Sequence, residues 1–256
     1  MILPAANILQ PLIDVANAVL KFFHDNVGLS WGMSIIALTV VTRAVLIPLT
    51  YKQLKGMRAM QALQPQIKAL QEKYKNDKQR MQQEMMRFYK ENKVNPFASC
   101  VPLLAQLPVF ITLFYVLRHE LPPDMGCPEA GHCAAYGAEF FFIKDLTAKA
   151  TGGELIALLI LYIGTQLVSG MVMSLSADKS QRTMMFLLPL IFVPFILKFP
   201  AGLILYWITT NFWTIGQQLV MKKVIPVPVA ATPEGAAAIQ AAKPPPPPPR
   251  KKKKRR

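Results

Sequence analysis

Arg43 is the one formal charge in an apolar run from Trp31 to Thr50. As helix, a run of that length is roughly 30 Å long, enough to cross a bilayer. Arg43 lies about 10 Å inside the Thr50 surface, where an arginine costs roughly 2.5–3.5 kcal/mol on insertion scales. Either its side chain snorkels back to the near headgroups, or the guanidinium faces water and polar partners inside the protein. Thr39, four residues earlier, shares its helix face. Other apolar runs also carry polar groups: Gln106 in one, Gln166 with Ser169 in another, and Trp207, Asn211, Thr214 and Gln218 in steps of four, three and four in the last. Unsatisfied polar groups are costly in hydrocarbon. These faces therefore converge on a hydrophilic cavity or hold the bundle together by interhelical hydrogen bonds. Arg43 in the set favours the cavity.

Other chemistry finds little support. His24, His119 and His132 all fall outside the apolar runs, and no Ser/His pair or HExxH motif is present. The runs contain no acidic residue, and no phosphate-binding loop exists. We therefore expect no enzyme, no cofactor and no small-molecule substrate. Without a CxxC pair, no metal site is expected either. Cys127 and Cys133 share one polar loop, as a disulfide or as two free thiols. The chain ends in a proline run and then Arg250, Lys251, Lys252, Lys253, Lys254, Arg255 and Arg256. Such a cluster binds ribosomal RNA by counterion release or anionic lipid headgroups.

Composition sets the frame. The 256 residues are 52% hydrophobic with a net charge of +15, which excludes an ordinary soluble domain. We expect an all-α integral membrane protein with five transmembrane helices and a cytoplasmic helical hairpin. Residues 1–30 read as an extracytoplasmic amphipathic helix, with Ile8, Leu12, Val15, Val19 and Phe22/Phe23 as its apolar stripe. The spans are residues 31–50, 96–117, 155–175, 183–197 and 203–221. Residues 51–95 form the hairpin, with apolar stripes along Met57–Leu70 and Met81–Phe88. Residues 118–154 are an extracytoplasmic loop, 176–182 a cytoplasmic turn, and 198–202 an extracytoplasmic turn. Residues 222–256 are a disordered, Pro-rich basic cytoplasmic tail. Pro48 bends or ends the first span. The fourth run is short for a full span. One side of this arrangement holds 23 Lys/Arg and the other 5. The N-terminus is therefore expected outside and the C-terminus in the cytoplasm of a bacterial cell membrane.

Three stretches carry a resemblance to a known family: Leu38 to Thr50 (LTVVTRAVLIPLT), Asn95 to Phe110 (NPFASCVPLLAQLPVF) and Phe199 to Asn211 (FPAGLILYWITTN). With the order of spans and the cytoplasmic hairpin, the chain from about Gly28 to Lys223 resembles the YidC family of membrane protein insertases. It looks like the short Gram-positive form, since no large extracytoplasmic domain precedes the core. It departs from that form in having no lipoprotein-type cysteine near its start, and no family role carries over to the Cys127–Cys133 loop. The resemblance implies a groove open to cytoplasm and lipid and closed toward the outside. It places Arg43, Thr39, Gln106 and Trp207 in that groove, with Gln166 a weaker match. It also implies nascent membrane proteins as clients, with the ribosome and optionally a general secretion channel as partners. A small-anion transporter built on Arg43 and a post-insertion assembly chaperone are the competing readings.

Overall fold

The computed structural model describes residues 4–92, 94, 101–174 and 179–224. The described residues are helical apart from loops and two isolated β-bridges. They divide into two units, Met1–Met57 with Pro96–Ile225, and Arg58–Asn95.

In the first unit, α1 (Pro4–Lys21) is followed by a π-turn (Phe22–Asn26) and by α2 (Trp31–Val45). Ser30 caps α2, its hydroxyl accepting from the Met33 amide. At Leu46 the chain bends by 57° into α3 (Ile47–Ala62). Pro48 at the start of α3 suits this break, because an early helical position leaves its missing N–H without cost. The run from 31 to 50 is therefore a broken helix, with Arg43 in the last turn before the break.

Helix α6 (Val101–Tyr115) runs on through a π-turn (Val116–Glu120) into α7 (Leu121–Asp124). Helical backbone thus extends past residue 117, where a loop was expected. Helices α8 (Gly152–Ser174), α9 (Lys179–Ile196) and α10 (Ala201–Val224) complete the unit. Of the described helices, Gly152–Val172 within α8 is long and apolar enough to cross a membrane by itself, and the bent α2–α3 pair qualifies if counted as one span. Helix α10 packs on α8 and on α2, and α8 also packs on α9.

The fully buried side chains gather at one end of this bundle. Ile35 comes from the start of α2, Leu117 and Leu121 from the far end of α6 and beyond, Leu158 from the start of α8, Ile196 from the end of α9, and Leu203 and Ile204 from the start of α10. That end is closed by apolar packing. The opposite halves of α2, α8 and α10 carry exposed Val45, Met171, Leu219 and Val220 instead.

Helix α1 lies on α6 and α2. It buries Ile13 and Leu20, with Leu9 and Ala16 partly buried beside them. The predicted stripe is a different face, and its Leu12, Val15 and Phe22 stay exposed. Both faces are apolar, so the periodicity marks an amphipathic helix without saying which face meets protein.

The segment from 125 to 150 forms a cap over the closed end. Cys127 and Cys133 are joined in a disulfide. Buried Asp145 accepts from the Cys133 amide at 2.7 Å and from the Thr147 amide and hydroxyl at 2.8 and 2.7 Å. The cap is stitched to the turn before α10: the Gly202 amide donates to the Leu146 carbonyl at 2.9 Å, and the Ala201 amide to the Ala148 carbonyl at 2.7 Å. A Cβ on Gly202 would lie 2.9 Å from the Leu146 oxygen, so this close approach needs glycine.

The second unit holds the end of α3, then α4 (Gln64–Lys73) and α5 (Lys78–Glu91), which pack together across the turn at Tyr74–Asp77. Asp77 caps α5, accepting from the Arg80 amide at 3.0 Å. Ile67 is buried, whereas α5 buries no side chain fully.

Candidate functional site

The bundle's interior turns polar below the closed end. Arg43 sits in the last turn of α2, just before the break at Leu46. It is half-buried, and the phenol of Tyr206 lies within its electrostatic reach. Tyr206 is itself buried, and its hydroxyl accepts a hydrogen bond from Gln106 Nε2. Three helices, α2, α6 and α10, therefore converge on one phenol. No carboxylate pairs with Arg43 among the described residues.

Two further polar links join α10 to its neighbours. Asn211 Nδ2 donates to Thr165 Oγ1 on α8 at 3.1 Å. Gln217 Nε2 donates to Thr50 Oγ1 on α3 at 2.9 Å, and Gln217 Oε1 accepts from Trp213 Nε1 at 3.0 Å. Trp207 is half-buried and stacks on Phe110 at 5.3 Å between ring centroids, with Phe199 and Tyr162 at 5.9 and 6.0 Å. It thus places an aromatic face beside the Gln106–Tyr206 pair.

The Thr39 and Thr214 hydroxyls donate to backbone within their own helices, to the Ile35 carbonyl at 2.7 Å and the Thr210 carbonyl at 2.8 Å. Thr39 is fully buried, so it serves α2 more than an open wall. Ser169 is buried, and Gln166 and Gln218 are half-buried. The tail residues 250–256 lie outside the described residues.

Sequence reasoning missed Tyr206, Thr165, Gln217 and Thr50. It also missed Gln53, whose buried amide meets no partner among the described residues, and Thr112, whose buried hydroxyl meets none. Buried polar atoms lacking protein partners call for water or a passing polar chain. Among the described residues, no cluster of His, Cys, Asp or Glu could hold a metal.

Comparison with known proteins agrees with this architecture. Residues 22–228 match the family described as 60Kd inner membrane protein. The membrane protein insertase YidC of Streptomyces avermitilis is 36% identical over 234 residues, covering 81% of this chain and 55% of that protein. The YidC of Haemophilus influenzae is 38% identical over 196 residues, covering 77% and 34%. A crystal structure of an active YidC insertase with its first transmembrane domain resolved superposes with a TM-score of 0.61 and 27% identity, covering 85% of this chain and 46% of that one. The chain thus spans about half or less of the length of these relatives. Over most of its own length it belongs to the 60Kd inner membrane protein family, the YidC-type insertases of the bacterial inner membrane.

Proposed function

We propose that this chain inserts newly made proteins into the bacterial inner membrane, drawing polar N-terminal tails into a groove that contains Arg43. The observation that carries this reading is the setting of Arg43: half-buried, within electrostatic reach of the Tyr206 phenol that Gln106 also bonds, and with no carboxylate partner among the described residues. Moving a polar tail across hydrocarbon is costly because its backbone groups lose water. A wet pocket that reaches part-way through the bilayer shortens the dry path. Arg43 attracts acidic residues of the tail and releases them because it is only half-buried. Gln106, Tyr206, Asn211 and Gln53, whose buried amide has no partner among the described residues, offer exchangeable hydrogen bonds. The client's apolar segment meets Trp207 and the exposed faces of α8 and α10, then moves into lipid. Burial of a typical apolar span drives that step at tenths of a kcal/mol per residue.

The basic bias of residues 51–95 and of the tail orients the open end toward the cytoplasm and the capped end outward. In this arrangement five spans surround the groove, and the tail recruits ribosomes through ribosomal RNA.

The test is a reconstitution. Liposomes containing only the full chain receive a translated single-span protein with a short acidic N-tail, and external protease is then added. The expected result is a protected N-tail that empty liposomes do not give. Protection no greater than in empty liposomes, with the chain folded, overturns the proposal, and a solute-dependent anion flux would then favour transport.

A further inference from the structure

The cap carries a feature that the groove does not use. Phe140 and Ile143 exchange two backbone hydrogen bonds, 2.9 and 2.8 Å, so Phe141 and Phe142 form the tip of a tight turn. Both anchors are buried. Phe141 has a φ of 53°, and among the described non-glycine residues it alone is positive. At the first central position of such a turn glycine is favoured, and a bulky side chain is strained there. The strained residue is also 90% exposed, and Phe142 beside it is exposed too. Exposed Glu139 and Lys144 flank the turn. Two aromatic rings are thus held out from a polar base.

The depth of this tip is set by α2. The Phe140 ring fills the space over Gly32, where a Cβ would fall 2.2 Å from Phe140 Cγ. Gly32 is the second residue of α2, next to Trp31, which stacks on His24 at 3.8 Å. The tip therefore springs from the level at which the first span begins, where aromatic side chains sit between water and hydrocarbon. Helix α1, which packs on α2, exposes Leu12, Val15 and Phe22.

We propose that Phe141 and Phe142 are an interfacial anchor, inserted at the headgroup–acyl boundary of the bilayer's outer leaflet, that holds the cap and the closed end of the bundle at fixed depth. The disulfide and the Asp145 network keep the tip rigid enough to do so. This inference rests on the membrane reading above.

The experiment places the photoreactive residue p-benzoylphenylalanine singly at Phe141, at Glu139 and at Ile160, an exposed position within α8, in the full chain. Each variant is reconstituted into phosphatidylcholine–phosphatidylglycerol vesicles, irradiated and analysed by mass spectrometry. Lipid adducts at Phe141 are expected at the yield seen at Ile160, with loss of the adduct at Glu139. Adducts at Ile160 but none at Phe141, or adducts to protein at Phe141, overturn the anchor and leave the membrane reading intact. No adduct at Ile160 overturns the membrane reading itself.

Discussion

Replacing Arg43 with alanine removes the charge while leaving the Gln106–Tyr206 hydrogen bond in place. The size of the effect follows from where the guanidinium sits. A client carboxylate approaching to about 5 Å gains about 3 kcal/mol at an effective dielectric of 20, and about 0.8 kcal/mol in bulk water. Half-burial puts Arg43 between these limits. An intermediate value of about 1.4 kcal/mol corresponds to about a tenfold loss. Arg43→Ala should therefore reduce insertion of a client with one acidic residue in its N-tail by about tenfold. A second acid within reach should deepen the loss, and an acid-free tail should lose little. Arg43→Lys keeps the charge on a shorter-reaching group and should recover most of the activity. The assay is protease protection of matched clients that differ only in tail acids, in liposomes containing each variant. Equal losses for acidic and acid-free tails would refute the electrostatic role. Arg43 would then act by packing or by hydrating the groove.

Three other outcomes are expected. Asp145→Ala strands the Cys133 and Thr147 amides in a buried site and should cost about 2–3 kcal/mol of cap stability, read as faster amide exchange across 127–148; unchanged exchange would remove the network from the account. Gly202→Ala forces a methyl against the Leu146 carbonyl and should lower stability by about 1–3 kcal/mol, measured by thermal unfolding in detergent, whereas Gly216→Ala, with open space at its Cβ, should not. Lys21 donates to Asp124 at 2.8 Å, and that hydrogen bond and charge raise its pKa above the ordinary lysine value. The contact is complete at neutral pH and is lost as pH climbs through the raised lysine value. Proteolysis of α1 should therefore stay flat through neutral pH and rise above about 10.5, and Lys21→Met should abolish the pH dependence.

Arg43 was legible because a lone charge in an apolar run stands out, and Gln106 and Trp207 because their motifs matched a known family. Tyr206 was not, because it reads as one more ring in Leu203–Ile208 and its partner Gln106 lies a hundred positions away. Only packing brings the two together. Pro48 signalled the break in the first span, although the size of the bend depends on what α3 packs against. Thr39 shows the reverse limit: it lies four residues before Arg43 on α2, but its hydroxyl has a nearer acceptor in the Ile35 carbonyl. In α1 the apolar period was visible, yet the helix buries the neighbouring face, since hydropathy does not separate a lipid-facing stripe from a protein-facing one. Asp145 looked like an ordinary loop acid, and its burial among three donors became visible only with the cap folded.

On the proposed function, a client passes through the groove at Gln106, Tyr206 and Trp207. Site-specific photocrosslinking from Gln106 and Trp207, during translation of a single-span protein with an acidic N-tail, tests it most directly. Crosslinks from both positions to the client's N-tail and apolar segment are expected, and none from exposed Glu139 on the cap. A folded chain that crosslinks the client at Glu139 but at neither groove position would contradict it.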